Sequence, residues 1–89
     1  MSYAISLHGR SALITGASSG LGRAFAGMLA RAGAAVALAA RRRNSLELVR
    51  QELESAGARA IAVAMDVTNA GSVAEAVESA AQGLGKLDI

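Results

Sequence analysis

The sequence predicts an α/β fold in which helices cover both faces of a parallel β-sheet. Short apolar runs typical of buried strands alternate along the chain with segments whose apolar residues recur at helical spacing. The resulting order, β-α-β-α-β-α-β, gives parallel strands joined by right-handed crossovers. We therefore expect an incomplete doubly wound sheet with the strand order 3-2-1-4.

The first unit is a strand, a glycine-rich turn and a helix. Residues 10–15 form the predicted strand, and the helix runs from Ser19 or Gly20 to Arg31, with Gly33 just beyond its end. Six apolar helix residues share one stripe, which we expect to face the core: Leu21, Ala24, Phe25, Met28, Leu29 and Ala32.

The remaining units repeat this order. Residues 35–40 and 59–65 are the predicted second and third strands, and 87–89 begin a fourth. Asn44 and Glu47 predict a capping box at the start of a helix over 44–55. Thr68 is the predicted N-cap of the third helix. We expect the first two helices on one face of the sheet and the third on the other.

Composition excludes several classes of protein. The 89 residues suffice for one small domain, and the absence of Cys excludes disulfides and thiolate metal sites. A formal charge of +2 is too small to indicate a nucleic-acid partner. The apolar stretch 24–40 is interrupted by Arg31 and is shorter than the roughly 20 residues that a membrane-spanning helix needs. With no signal peptide visible, we expect a soluble cytoplasmic protein without metal, membrane or nucleic-acid partners.

The glycine-rich turn reads Thr15-Gly16-Ala17-Ser18-Ser19-Gly20-Leu21-Gly22. Gly16 allows a sharp turn out of the strand, Gly20 leaves space for a diphosphate, and Gly22 allows close packing of helix and strand. The free N–H groups and dipole of the helix start favour an anion. The pattern predicts a phosphate-binding turn; the alternative is an ordinary strand-to-helix connection.

The end of the second strand predicts the cofactor. An acidic residue there binds the adenosine ribose of NAD, whereas an arginine accommodates the 2′-phosphate of NADP. Here Ala40 is followed by Arg41 and Arg42, so we expect NADP(H) rather than NAD(H). The alternative is that the arginine run 41–43 is only a solvated loop.

The turn resembles the cofactor loop of the short-chain dehydrogenases/reductases, Thr-Gly-x-x-x-Gly-x-Gly, and the resemblance extends from Leu7 to Ile89. It implies a Rossmann-like fold and a cofactor role for Asp66 and Val67, which would hold the adenine. Ser19 departs from the basic residue that many NADP-dependent members carry at its position. The cofactor-binding residues indicated by motif and resemblance are Gly16, Ser18, Ser19, Gly20, Leu21, Gly22, Arg41, Arg42, Asp66 and Val67.

The resemblance also implies an oxidoreductase that transfers hydride between NADP(H) and a carbonyl or alcohol substrate. Such enzymes use a Ser and a Tyr followed four residues later by a Lys. Lys86, the one lysine, follows Gln82 at that spacing, and Tyr3 precedes Leu7, so we assign no catalytic residue.

We therefore expect residues 1–89 to be the N-terminal dinucleotide-binding part of a single Rossmann-fold domain, truncated at the start of the fourth strand and inactive alone. The resemblance implies that its longer parent is a homo-oligomer. The alternative is a stand-alone nucleotide-binding or regulatory module without catalysis.

Overall fold

The computed structural model describes residues 7–18 and 20–88; Tyr3, Ser19 and Ile89, about which the sequence makes predictions, lie outside the described residues. The elements are β1 (Ser11–Thr15), α1 (Gly20–Arg31), β2 (Ala35–Ala40), a 3-10 helix (Arg43–Leu46), α2 (Glu47–Ser55), β3 (Ala60–Ala64) and α3 (Ala70–Leu84).

The sheet is parallel, with β2 between β1 and β3. Ser11 of β1 lies opposite Ala35, and Val36 lies opposite Ala60 of β3. The α/β prediction is therefore confirmed. Within the described part of the chain, Leu87 and Asp88 form no strand, so the position of a fourth strand stays a prediction. The Asp88 N–H does donate to the Ser11 carbonyl at 2.8 Å, on the edge of β1 away from β2.

Small aliphatic side chains fill the core on both faces of the sheet. On one face, Val36 and Leu38 of β2 pack in a cluster with Ala26 of α1 and with Val49 and Leu53 of α2. On the opposite face, two smaller clusters join the sheet to Ala76, Ala80 and Leu84 of α3. Helices thus cover both faces, as predicted. Among the described residues, no helix combines the length and apolar character needed to cross a membrane.

The predicted core stripe of α1 is wrong for Leu21, Phe25 and Met28, whereas Leu29 is partly buried and packs against the core, as predicted. Leu21, Phe25 and Met28 are 72%, 48% and 56% exposed, and the helix instead buries Ala26. The cause is close packing at Gly22, where a Cβ atom would lie only 2.2 Å from the Gly16 carbonyl oxygen. A helix that lies so near the first strand has room for small residues on its inner side, and Leu21, Phe25 and Met28 point outward.

Both predicted N-caps are also wrong. Asn44 lies inside the 3-10 helix, whose N-cap is Arg42 without a side-chain cap, and Glu47 binds Arg50 instead, at 2.8 Å. Asn69, in extended conformation, caps α3 by accepting a hydrogen bond from the Ser72 N–H at 3.0 Å. Thr68 lies one residue before this cap, and its hydroxyl instead donates to Asp66 at 2.6 Å.

Candidate functional site

A cavity of about 580 Å³ opens where the carboxyl ends of all three strands meet. Parallel α/β sheets commonly bind ligands at this edge because the strand-to-helix loops converge there. The cavity is lined by Thr15, Gly16, Ser18, Ala39, Ala40, Arg41, Arg42, Ser45, Met65 and Val67.

The turn between β1 and α1 forms one wall of this cavity. Gly16 has a φ of +61°, in the left-handed region that favours glycine, and this allows the sharp exit from β1. The Ala17 N–H donates to the Ala39 carbonyl at 3.2 Å and holds the turn against β2. A Cβ added to Gly16 would meet no atom within 4 Å, so the turn is open at the residue that lines the cavity. The turn therefore presents backbone to open space, as a phosphate-binding loop requires.

The opposite wall is basic. Arg41 and Arg42 are exposed and line the cavity directly after the small residues Ala39 and Ala40. The Ser45 hydroxyl donates to the Arg42 carbonyl at 2.6 Å. This hydrogen bond stabilises the turn between β2 and the 3-10 helix, where the arginines lie. No carboxylate lies among the described residues that line this cavity. The wall is consequently suited to an anionic group.

Asp66 lies just outside the cavity, at the bend between β3 and α3. Its Oδ1 accepts hydrogen bonds from the Thr68 N–H at 3.0 Å and from the Thr68 hydroxyl at 2.6 Å. The pKa of the Asp66 carboxyl is lowered from its ordinary value. The hydrogen bond from the Thr68 hydroxyl is the main cause, and the charge of Arg41 makes a smaller contribution. Asp66 is thus ionised at neutral pH, and its carboxylate is hydrogen-bonded to Thr68 next to Val67.

The structure brings together only some of the predicted cofactor-binding residues. Those that line the cavity are Gly16, Ser18, Arg41, Arg42 and Val67. Gly20 borders a different cavity, between α1 and α2, while Leu21 faces solvent. Gly22 packs behind the turn against Gly16, and Ser19 lies outside the described residues.

The predicted set of cofactor-binding residues left out five residues that line the cavity: Thr15, Ala39, Ala40, Ser45 and Met65. Four of them lie at or just beyond the carboxyl ends of the strands. They could have been predicted from the rule that parallel sheets bind ligands at that edge. Ser45 gave a weaker one, since its hydroxyl follows the arginine run within one turn of helix.

Comparison with known proteins gives one consistent family. Residues 10–89 match the family described as short chain dehydrogenase. The chain is 49% identical over 79 residues to the A-factor type gamma-butyrolactone 1′-reductase (1S-forming) of Streptomyces virginiae, covering 89% of this chain and 31% of that protein.

Two solved structures have the same fold. A short-chain type dehydrogenase/reductase from Mycobacterium marinum has a TM-score of 0.91 and 39% identity, with 96% of this chain and 34% of that one covered. A short chain dehydrogenase/reductase from Burkholderia phymatum, solved in complex with NAD, has a TM-score of 0.86 and 37% identity, with 93% and 30% covered. The chain thus spans about a third of the length of these relatives.

Proposed function

The chain belongs to the short chain dehydrogenase family, and on this basis we propose that it is the NADP-binding portion of an oxidoreductase acting on a carbonyl or alcohol substrate. Family membership supports oxidoreductase chemistry and a nicotinamide dinucleotide. The preference for NADP(H) is our inference from the residues of this chain.

One observation carries that preference: Arg41 and Arg42 line the cavity directly after Ala40, where a carboxylate would repel a phosphate. A guanidinium binds two phosphate oxygens at once, through charge-assisted hydrogen bonds that are stronger than neutral ones. Both arginines are exposed, so their side chains are free to turn towards a ligand.

The other residues fit the remainder of the cofactor. Backbone N–H groups of the turn at Gly16 and the hydroxyl of Ser18 would hold the diphosphate. Val67 would pack against the adenine, and the ionised carboxylate of Asp66 would accept a hydrogen bond from its amino group. Once bound, the cofactor supplies the hydride chemistry, which the protein only positions.

The alternative of a stand-alone regulatory module is not favoured. The named relatives of this chain are reductases or dehydrogenases, and it matches them over nearly its whole length.

Replacing Arg41 by Ala tests the NADP preference. Loss of a charge-assisted contact with the 2′-phosphate should weaken NADPH binding by about 1.5–3 kcal/mol, roughly 10- to 150-fold. NADH lacks that phosphate, so its affinity should change little. Cofactor fluorescence titrated against each variant measures both dissociation constants.

Arg31→Ala is the matched control, because it removes an exposed arginine from the end of α1, far from the lining residues. Unchanged discrimination between NADPH and NADH in Arg41→Ala would refute the role of Arg41. Failure of the folded wild-type chain to bind either dinucleotide would refute the proposed function itself.

A further inference from the structure

The outer edge of β3 is an unpaired strand edge. The Val36 N–H donates to the Arg59 carbonyl at 2.9 Å, and the Met65 N–H donates to the Ala40 carbonyl at 2.8 Å. In a parallel ladder these two bonds direct the backbone of residues 59, 61, 63 and 65 towards β2. The N–H and C=O groups of Ala60, Ala62 and Ala64 therefore point away from the sheet, and none of the hydrogen bonds found among the described residues uses them.

This edge has the properties of a strand-pairing surface. The strand Ala60–Ala64 carries no charged residue, and its outward-pointing positions are all alanine. Methyl side chains present little obstacle to another backbone at the usual strand spacing of about 4.8 Å. An apolar, uncharged edge of this kind is a template for pairing with another chain.

Arg43 lies across this edge. Two cavities flank it, one towards α3 with Glu75 and Ser79 and one towards α2 with Glu47, Arg50 and Glu54, where Arg50 is already paired with both glutamates. Arg43, Ile61 and Ala62 line both cavities, so the arginine spans the middle of the strand. The pKa of the Glu47 carboxyl is lowered mainly by the hydrogen bond from Arg50, and the charge of Arg43 makes a smaller contribution. This agrees with a position of Arg43 near the start of α2.

We propose that Arg43 keeps the outer edge of β3 from pairing with the same edge of a second copy of this chain. Pairing would require the guanidinium to be displaced or desolvated, and burying an unpaired charge is costly. In a symmetric pair two such charges would approach each other, because each copy contributes its own Arg43. This role does not depend on cofactor binding.

The second copy is the favoured occupant because the edge is self-complementary. In an antiparallel pair centred on Ala62, that residue lies opposite its equivalent and Ala60 lies opposite Ala64. All three pairs then use outward-pointing groups, and each pair exchanges two N–H···O bonds. A two-fold arrangement satisfies both edges at once and closes the assembly.

The test compares the wild-type chain with Arg43→Ala. Sedimentation velocity over a concentration series should show stronger self-association of the variant. Amide hydrogen exchange should slow at Ala60, Ala62 and Ala64, by about tenfold or more for residues that enter a new hydrogen-bonded ladder. Association through any other surface would leave the exchange of these three amides unchanged.

Two further variants make the result specific. Arg43→Ala combined with Ala64→Lys restores a charge to the same edge at an exposed position and should reverse the association. Arg31→Ala removes an arginine of α1, away from β3, and should behave as wild type. Equal association of wild type and Arg43→Ala would overturn the proposal, as would stronger association with unchanged exchange at Ala62.

Discussion

Gly22 sets the distance between α1 and β1. A Cβ there would lie 2.2 Å from the Gly16 carbonyl oxygen and 3.1 Å from that of Thr15, and both neighbours are backbone. Gly22→Ala should therefore push the helix away and destabilise the fold by about 1–3 kcal/mol, the usual effect of overpacking. Thermal unfolding followed by circular dichroism measures the change.

Gly27 on the same helix provides a control of opposite sign. A Cβ at Gly27 would meet only the flexible end of Arg31, at 3.3 Å. Gly27→Ala should stabilise the chain by up to about 1 kcal/mol, because alanine favours helix over glycine. If Gly22→Ala were no less stable than Gly27→Ala, the close approach of Gly22 to the Gly16 carbonyl would be contradicted.

Asp88 makes stability depend on pH. Its carboxylate accepts the Ser11 N–H at 2.9 Å, which is the main cause of a pKa below the ordinary value, and Lys86 and Arg10 lower the pKa further. Because the folded-state pKa is below the unfolded one, the stabilisation is present above about pH 4 and is lost as pH falls through the folded-state pKa.

Asp88→Asn should therefore unfold more easily at pH 7 and lose less of its stability on acidification. Urea unfolding at a series of pH values from about 7 to 2.5 measures both effects. The pKa values of Glu47 and Asp66 are also lowered, so the variant should keep part of the wild-type slope. Parallel stability curves for variant and wild type would show that Asp88 contributes no pH dependence.

Several site residues were predictable because their chemistry is local. The glycine turn and the arginine pair follow from spacing along the chain, and Gly16, Arg41 and Arg42 do line the cavity. Ser45 gave only a weak signal in the sequence, since its place in the cavity depends on the bend made by the 3-10 helix. The cofactor contacts of all these residues remain predictions.

At the scale of elements, the N-cap of α3 offers a direct test. Asn69 accepts the Ser72 N–H at 3.0 Å, whereas the Thr68 side chain is used by Asp66. Asn69→Ala should cost about 1 kcal/mol, the typical value of a lost cap. Asn69→Asp keeps an acceptor at the helix start and should be nearly neutral, so equal losses in the two variants, measured by thermal unfolding, would contradict the capping role.

The order and type of elements were predictable, but the faces that helices bury were only partly so. The first three strands are apolar runs bounded by turn residues, and their positions agree with prediction to within one residue, whereas the fourth stays a prediction. For α1 the hydrophobic stripe predicted burial of Leu21, Phe25 and Met28, which face solvent, because contact between the backbones at Gly22 and Gly16 sets the rotation of the helix. That contact is a tertiary property, which periodicity does not encode.

At the scale of the whole molecule, the two sheet edges differ. Arg43 crosses the outer edge of β3, whereas on β1 the Ser11 carbonyl accepts the Asp88 N–H. Further along that edge, the backbone N–H and C=O groups of Leu13 and Thr15 also point away from β2. The sequence predicted this edge as the place of a fourth strand, and the Ser11–Asp88 bonds hold residue 88 at its start.

The exposed apolar side chains of α1 should control self-association of the 89-residue chain. Leu21, Phe25 and Met28 are each about half exposed or more on one side of that helix, and a contiguous apolar patch favours contact with another molecule. Replacing Phe25 and Met28 together by Lys should raise the concentration at which light scattering begins. Leu48→Lys, which changes a single residue of α2 that is 61% exposed, should have a smaller effect.

The same preparations test activity. The chain has no Tyr four residues before its one Lys, Lys86. Neither the wild type nor the variant with Phe25 and Met28 replaced by Lys should therefore oxidise NADPH with a panel of carbonyl compounds. The variant matters because aggregation alone could also abolish activity. If a monodisperse, cooperatively melting variant binds NADPH without turnover, aggregation is excluded as the reason for its inactivity. Measurable turnover would refute the view that this chain binds the cofactor but carries no catalytic residue. Scattering unchanged by the Phe25 and Met28 replacements would locate self-association elsewhere than on α1.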